Sequence, residues 1–236
     1  MIDIGLLASI AIVLTVPTIF LEPWPADAVN TGVLDISLGA LFIGLAVGRV
    51  VALAIDDPGS LTSVSDLIII RSGVEFWPGV LAGLAWLAIQ AIRSKVPVAV
   101  RLAALVPAGL VAWACYEATC LLRDGCPGPV SSVGIRPDGL ATRMFPVGIA
   151  VAIAAVGIAV ALDRFHRRGL ASHHVVMLAL LAVAAIRAVA SIWLPHIGDG
   201  LTRQHRESII VAALAVGLLV TLRVRDRPPA PTVGAT

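Results

Sequence analysis

Three ionisable side chains, Arg49, Glu117 and Arg187, lie inside long apolar stretches of this 236-residue chain. In hydrocarbon such a charge costs several kcal/mol, about 2.5–3.5 on insertion scales, so it faces a bundle interior, a polar cavity or an opposite charge. Two kinds of chemistry fit the set. Glu117 can neutralise one or both arginines and tie together the helices that carry them, although a buried pair is weak evidence of net stability. Alternatively, the three line a polar pocket for an anionic lipid headgroup, because the guanidinium is a planar, permanently charged fork suited to phosphate. Arg71, Glu75, Arg123, Arg143 and Arg203 fall in breaks between apolar stretches that share one expected side of the membrane, where such a pocket would open. The candidate lipid-phosphate ligands are therefore Arg187, Arg143, Arg71 and Arg49.

Positioning these residues is the work of apolar helices. The chain is 58% hydrophobic and 14% charged, against roughly 25% charged in soluble domains, and its mean hydropathy is +0.97. Apolar runs near the length that crosses a bilayer, about 20 residues, recur at 4–21, 35–55, 79–92, 102–122, 146–162, 174–194 and 208–222. The expected fold is all-α: a polytopic bundle of about seven transmembrane helices in one domain, 1–222. A short apolar piece broken by Arg71, Gly73 and Glu75 reads as a re-entrant or interfacial segment before the third span. A six-span version, with the first segment interfacial, is the alternative. The Gly- and Pro-rich stretch RDGCPGPVSSVGIRPDGLATRMF (123–145) reads as a long irregular loop, and the basic, Pro-rich tail 223–236 as disordered.

The net charge is only +2 and the basic residues form no stripe of their own, which gives nucleic-acid binding no support. Cys115 and Cys120 are five apart on one proposed helix, poor geometry for a disulfide, and no histidine set at metal spacing accompanies them, so neither metal nor cofactor is expected. No cleavable signal is expected either: MIDIG lacks a basic n-region, and the run after it meets Pro17 and Glu22 instead of a small-residue cleavage site. Arg93, Lys95, Arg101, Arg164, Arg167, Arg168, Arg223, Arg225 and Arg227 fall on one side of a seven-span chain, which by the positive-inside rule places the N-terminus outside and the C-terminus inside.

The order and spacing of several pieces resemble the prolipoprotein diacylglyceryl transferase family over roughly 66–222. They are RSGVEFWPGVLAG (71–83), LVPAGLVAWACYEATCLLRDGCPG (105–128), VGIRPDGLATRMFP (133–146), IRAVAS (186–191) and GLTRQHRES (200–208). The resemblance implies a bacterial plasma-membrane protein that moves diacylglyceryl from phosphatidylglycerol, an anionic phospholipid, to a cysteine of a lipoprotein precursor. Arg187 matches a family arginine. Trp77 stands where the family has a His, Ala114 where it has an Arg, Glu117 where it has Asn or Cys, and Ser191 where it has a Glu. Such a transfer needs a base and a cationic clamp on the departing phosphate. The candidate catalytic residues are then Glu117 and Glu75, with no histidine expected nearby. A non-catalytic relative that binds phospholipid or a partner membrane protein is the alternative. A small-solute transporter, which calls for paired broken spans, is the third.

Overall fold

The computed structural model describes residues 4–19, 33–63, 73–123, 127–136, 141–193 and 201–225. They form an all-α bundle: α1 (Ile4–Ile19), α2 (Val33–Asp56), α3 (Phe76–Arg93), α4 (Val98–Ala118), α5 (Val147–Arg167), α6 (Ser172–Trp193) and α7 (Arg203–Arg225). Six of them, α2 to α7, are long and apolar enough to cross a membrane. At 16 residues α1 is shorter; with 1.5 Å per residue it falls short of the roughly 30 Å hydrocarbon core. It nevertheless packs along α4, with Ser9 Oγ 3.4 Å from the Thr119 carbonyl and Val16 against the main core cluster. Arg71 and the part of the expected re-entrant piece before Gly73 lie outside the described residues, as does the tail beyond Arg225.

The core holds the helices close because it is built largely of small residues. Ala103, Leu110 and Val111 of α4 meet Ala159 and Leu162 of α5 and Val175, Val176 and Ala179 of α6. The α2–α3 contact is closer still, along the face that carries Gly39, Gly44 and Gly48. A Cβ on Gly44 would lie 2.9 Å from the Gly79 carbonyl oxygen, and one on Gly48 2.6 Å from that of Glu75, so only glycine lets these backbones approach. Overpacking typically costs about 1–3 kcal/mol, and Gly48→Val is expected to lower the melting temperature in detergent. Gly109→Ala, whose added Cβ meets nothing within 4 Å, serves as the control. Equal melting temperatures for the two variants would refute this account of the α2–α3 contact.

Two elements differ from the sequence reading. The stretch expected to be an irregular loop contains an antiparallel hairpin, β1 (Pro127–Ile135) and β2 (Met144–Pro146). Its glycines and prolines serve the strands: Pro127 begins β1, and Gly134, at φ +153°, allows the irregular passage against Met144. The second difference is α7, which starts at Arg203 and not at Ser208. Its first turn is polar, made of good helix formers that lie at the end of an apolar span.

Because the long helices alternate in direction, the ends of α2, α4 and α6 and the starts of α3, α5 and α7 share one end of the bundle, with the hairpin. The opposite end carries the basic connections, including Arg93, Lys95, Arg164, Arg167 and Arg168.

Candidate functional site

At the hairpin end, side chains from four helices, α3, α4, α6 and α7, converge around Arg187. Its guanidinium lies over the Phe76 ring, 3.8 Å from the centroid. Phe76 in turn is held edge-on by Trp77 at 5.1 Å and tilted against Trp113 at 6.0 Å. Nη1 donates to Glu117 Oε1 at 3.4 Å and Nη2 to Gln204 Oε1 at 3.1 Å. The same Glu117 oxygen accepts the Trp113 indole N–H at 2.9 Å, from one turn earlier on α4. The pair is mostly buried, with side-chain exposures of 15% for Arg187 and 16% for Glu117. A stacked face, a carboxylate and an amide thus fix the plane of one arginine.

A second ionic group adjoins the first. Arg203, at the start of α7, forks onto Asp56 with both distances 3.2 Å and also donates to Glu75 Oε1. It therefore ties the end of α2 and the approach to α3 to α7. Glu75 is only 5% exposed. Its backbone N–H reaches the Gly48 carbonyl at 3.0 Å, so the glycine contact that draws α2 and α3 together also places this carboxylate. Its Oε2, like Oε2 of Glu207 four residues beyond Arg203 on α7, has no hydrogen-bond partner among the described residues.

The sequence candidates are sorted by this geometry. Glu117 meets Arg187 and does not meet Arg49. Arg49 is buried on α2 and donates to the Gly73 carbonyl at 3.3 Å, beside the strand of chain that enters α3. Arg143 is exposed on the hairpin, where its carbonyl accepts the Ser131 N–H at 3.0 Å. Trp77 is buried and donates its indole N–H to Ser208 Oγ at 3.0 Å, and that hydroxyl donates to the Gln204 carbonyl at 2.7 Å. Ala114 packs with Ala152 and Ala155. Among the described residues no group of three or more His, Cys, Asp or Glu could hold a metal ion.

Sequence reasoning missed His205 and Gln204. The expectation that no histidine lies near the site is corrected: His205 Nδ1 is 2.8 Å from Ser191 Oγ. His205 escaped because LTRQHRE was read as a polar loop, whereas it is the first turn of α7. The signal available was spacing. Gln204 and Ser208 are four apart, as are Arg187 and Ser191, so on helices each pair shares a face.

Compared with known proteins, the chain finds no matching family model and no matching curated relative.

Proposed function

We propose that this multi-pass membrane protein binds the headgroup of an anionic phospholipid at the hairpin end of its bundle, with Arg187 as the phosphate ligand. The observation that carries the reading is the fixed guanidinium plane of Arg187 in a mostly buried polar cluster. Its contact with Glu117 is long, 3.4 Å, and a phosphate oxygen offers a shorter charge-assisted bond to the same fork. Exposed Arg136, Arg143 and Arg206 at this end supply attraction for an anion on its way in. The basic opposite end, read by the positive-inside rule, is the cytoplasmic one, so this cluster faces outward in a bacterial plasma membrane. By its resemblance, the lipid is phosphatidylglycerol and the reaction is diacylglyceryl transfer to a lipoprotein-precursor cysteine. Binding without transfer is the second reading, favoured by Trp77, Ala114 and Ser191 at positions where the family has His, Arg and Glu.

A ligand that binds only the folded state stabilises it by about 2.7 kcal/mol at a hundredfold excess over Kd. Phosphatidylglycerol added to protein in detergent is therefore expected to raise the melting temperature, while phosphatidylcholine leaves it unchanged. The effect should vanish in Arg187→Gln/Glu117→Gln, which removes both charges together. An equal rise with both lipids, or an undiminished rise in the double variant, would remove the reading.

A further inference from the structure

At the basic end of the bundle, α4 begins without a cap. Its Ncap residue is Pro97, which has no side-chain oxygen to offer, and the first turn holds no acid. The N–H groups of Val100 and Arg101 reach back to the Pro97 carbonyl at 3.0 and 3.1 Å. Those of Val98 and Ala99 have no acceptor among the described residues, as expected of a helix start that no side chain closes. Such an end carries about half a positive charge.

Arg101 adds a full charge to it. Only 6% of this residue is exposed, and a long side chain on a helix lies over the turn before its own Cα, which here is the open start of α4. Nε is enclosed with no hydrogen-bond partner, and nothing among the described residues forms a hydrogen bond or ion pair with Nη1 or Nη2. The described acids of this end do not serve it: Asp163 is engaged by Arg167 at 2.9 Å, and Asp35 is exposed on α2. A guanidinium taken out of water without an anion is costly. The other cations of this end, Arg93, Lys95, Arg164, Arg167 and Arg168, are exposed; they add to the pull on an anion and neutralise nothing.

Charge and donor count select the ligand. The fork and the helix end together present about one and a half positive charges. A terminal phosphate carries about −1.5 to −2 at pH 7 and three strong acceptor oxygens, which match the fork and the two backbone donors. A phosphodiester has a single charge and one free oxygen fewer. We infer that the start of α4 is a second anion site, where Arg101 and the N–H groups of Val98 and Ala99 hold a terminal phosphate, carried by a lipid headgroup or by a soluble molecule. The site lies at the opposite end of the bundle from Arg187 and does not depend on the headgroup reading above.

The test is thermal melting of the full chain in detergent at fixed ionic strength. Inorganic phosphate is added in one arm and phosphatidic acid in the other, with chloride and phosphatidylcholine as blanks. A saturable rise with inorganic phosphate identifies a soluble ligand, and a rise with phosphatidic acid alone identifies a lipid. Arg101→Met should weaken binding by about a hundredfold, the loss of two charged hydrogen bonds. Freed of a stranded cation, it should also melt above the wild type before ligand is added. Val98→Pro should weaken binding by about tenfold and leave unliganded melting unchanged. Proline at the first helical position removes that N–H without taking an intrahelical bond, and Pro97, at φ −55° and ψ 127°, already has the backbone that precedes a proline. Arg187→Gln/Glu117→Gln should respond as the wild type does. The inference is overturned by no saturable rise in either arm, by a rise that Arg101→Met keeps, or by one that Arg187→Gln/Glu117→Gln abolishes. An unliganded Arg101→Met that melts below the wild type would also overturn it, as would an Arg101-dependent rise with phosphatidylglycerol equal to that with phosphatidic acid.

Discussion

Glu117→Gln is expected to lower the stability of the folded protein by about 3–5 kcal/mol, because it strands the mostly buried Arg187. The exposures of 15% and 16% place this pair well below the surface regime, where an ion pair contributes only about 0.2–1 kcal/mol. Gln can still accept the Trp113 indole bond, so the lost quantity is the charge and not the packing. Phe76 and Gln204 remain on Arg187, but neither neutralises it. Adding Arg187→Gln should recover part of the loss, since two neutral amides replace one unmatched cation. Thermal melts of the wild type, both single variants and the double variant give the coupling. Additive losses would mean that the two side chains do not stabilise each other.

Arg203→Ala is expected to have the next largest effect, about 2–3 kcal/mol, through a different carboxylate. Arg203 is 35% exposed and Asp56 58%, so their half of the group contributes at the surface-pair level, roughly 0.2–1 kcal/mol. Glu75 is different: its side chain is 7% exposed, and without Arg203 its charge is buried with no compensating cation in contact. Asp56→Asn should therefore be mild, Arg203→Ala severe, and Arg203→Ala/Glu75→Gln intermediate. If Asp56→Asn proved as damaging as Arg203→Ala, the assignment of the buried Glu75 as the dominant partner would be wrong.

The helices were legible in the sequence because each apolar run is long and sharply bounded, and α2 to α7 follow those runs. Rotation about a helix axis was not legible in the same way. Arg49 and Arg187 are both arginines at depth, and nothing in their own stretches says which one faces Glu117. The answer depends on the glycine contact that presses α2 onto α3 at Gly44 and Gly48, which turns Arg49 toward Gly73. The hairpin was hidden because Gly128, Gly134 and Pro127 are ordinary loop signals, yet they also permit an irregular strand pair beside Phe145 and Met144. The first turn of α7 was hidden by its polarity. Once Arg203 to Ser208 are helical, one short segment delivers the Arg203 bridge, the Gln204 contact, the His205 ring and the Ser208 acceptor for Trp77. That His205 comes within 2.8 Å of Ser191 follows only from the packing of α6 against α7.

Native mass spectrometry of the protein released from micelles containing equal phosphatidylglycerol and phosphatidylcholine decides whether Arg187 holds a phosphate. The expected spectrum of the wild type shows one retained phosphatidylglycerol, and that of Arg187→Gln/Glu117→Gln shows none above the phosphatidylcholine background. Equal retention of the two lipids by the wild type, or full retention of phosphatidylglycerol by the double variant, would contradict a phosphate site at Arg187.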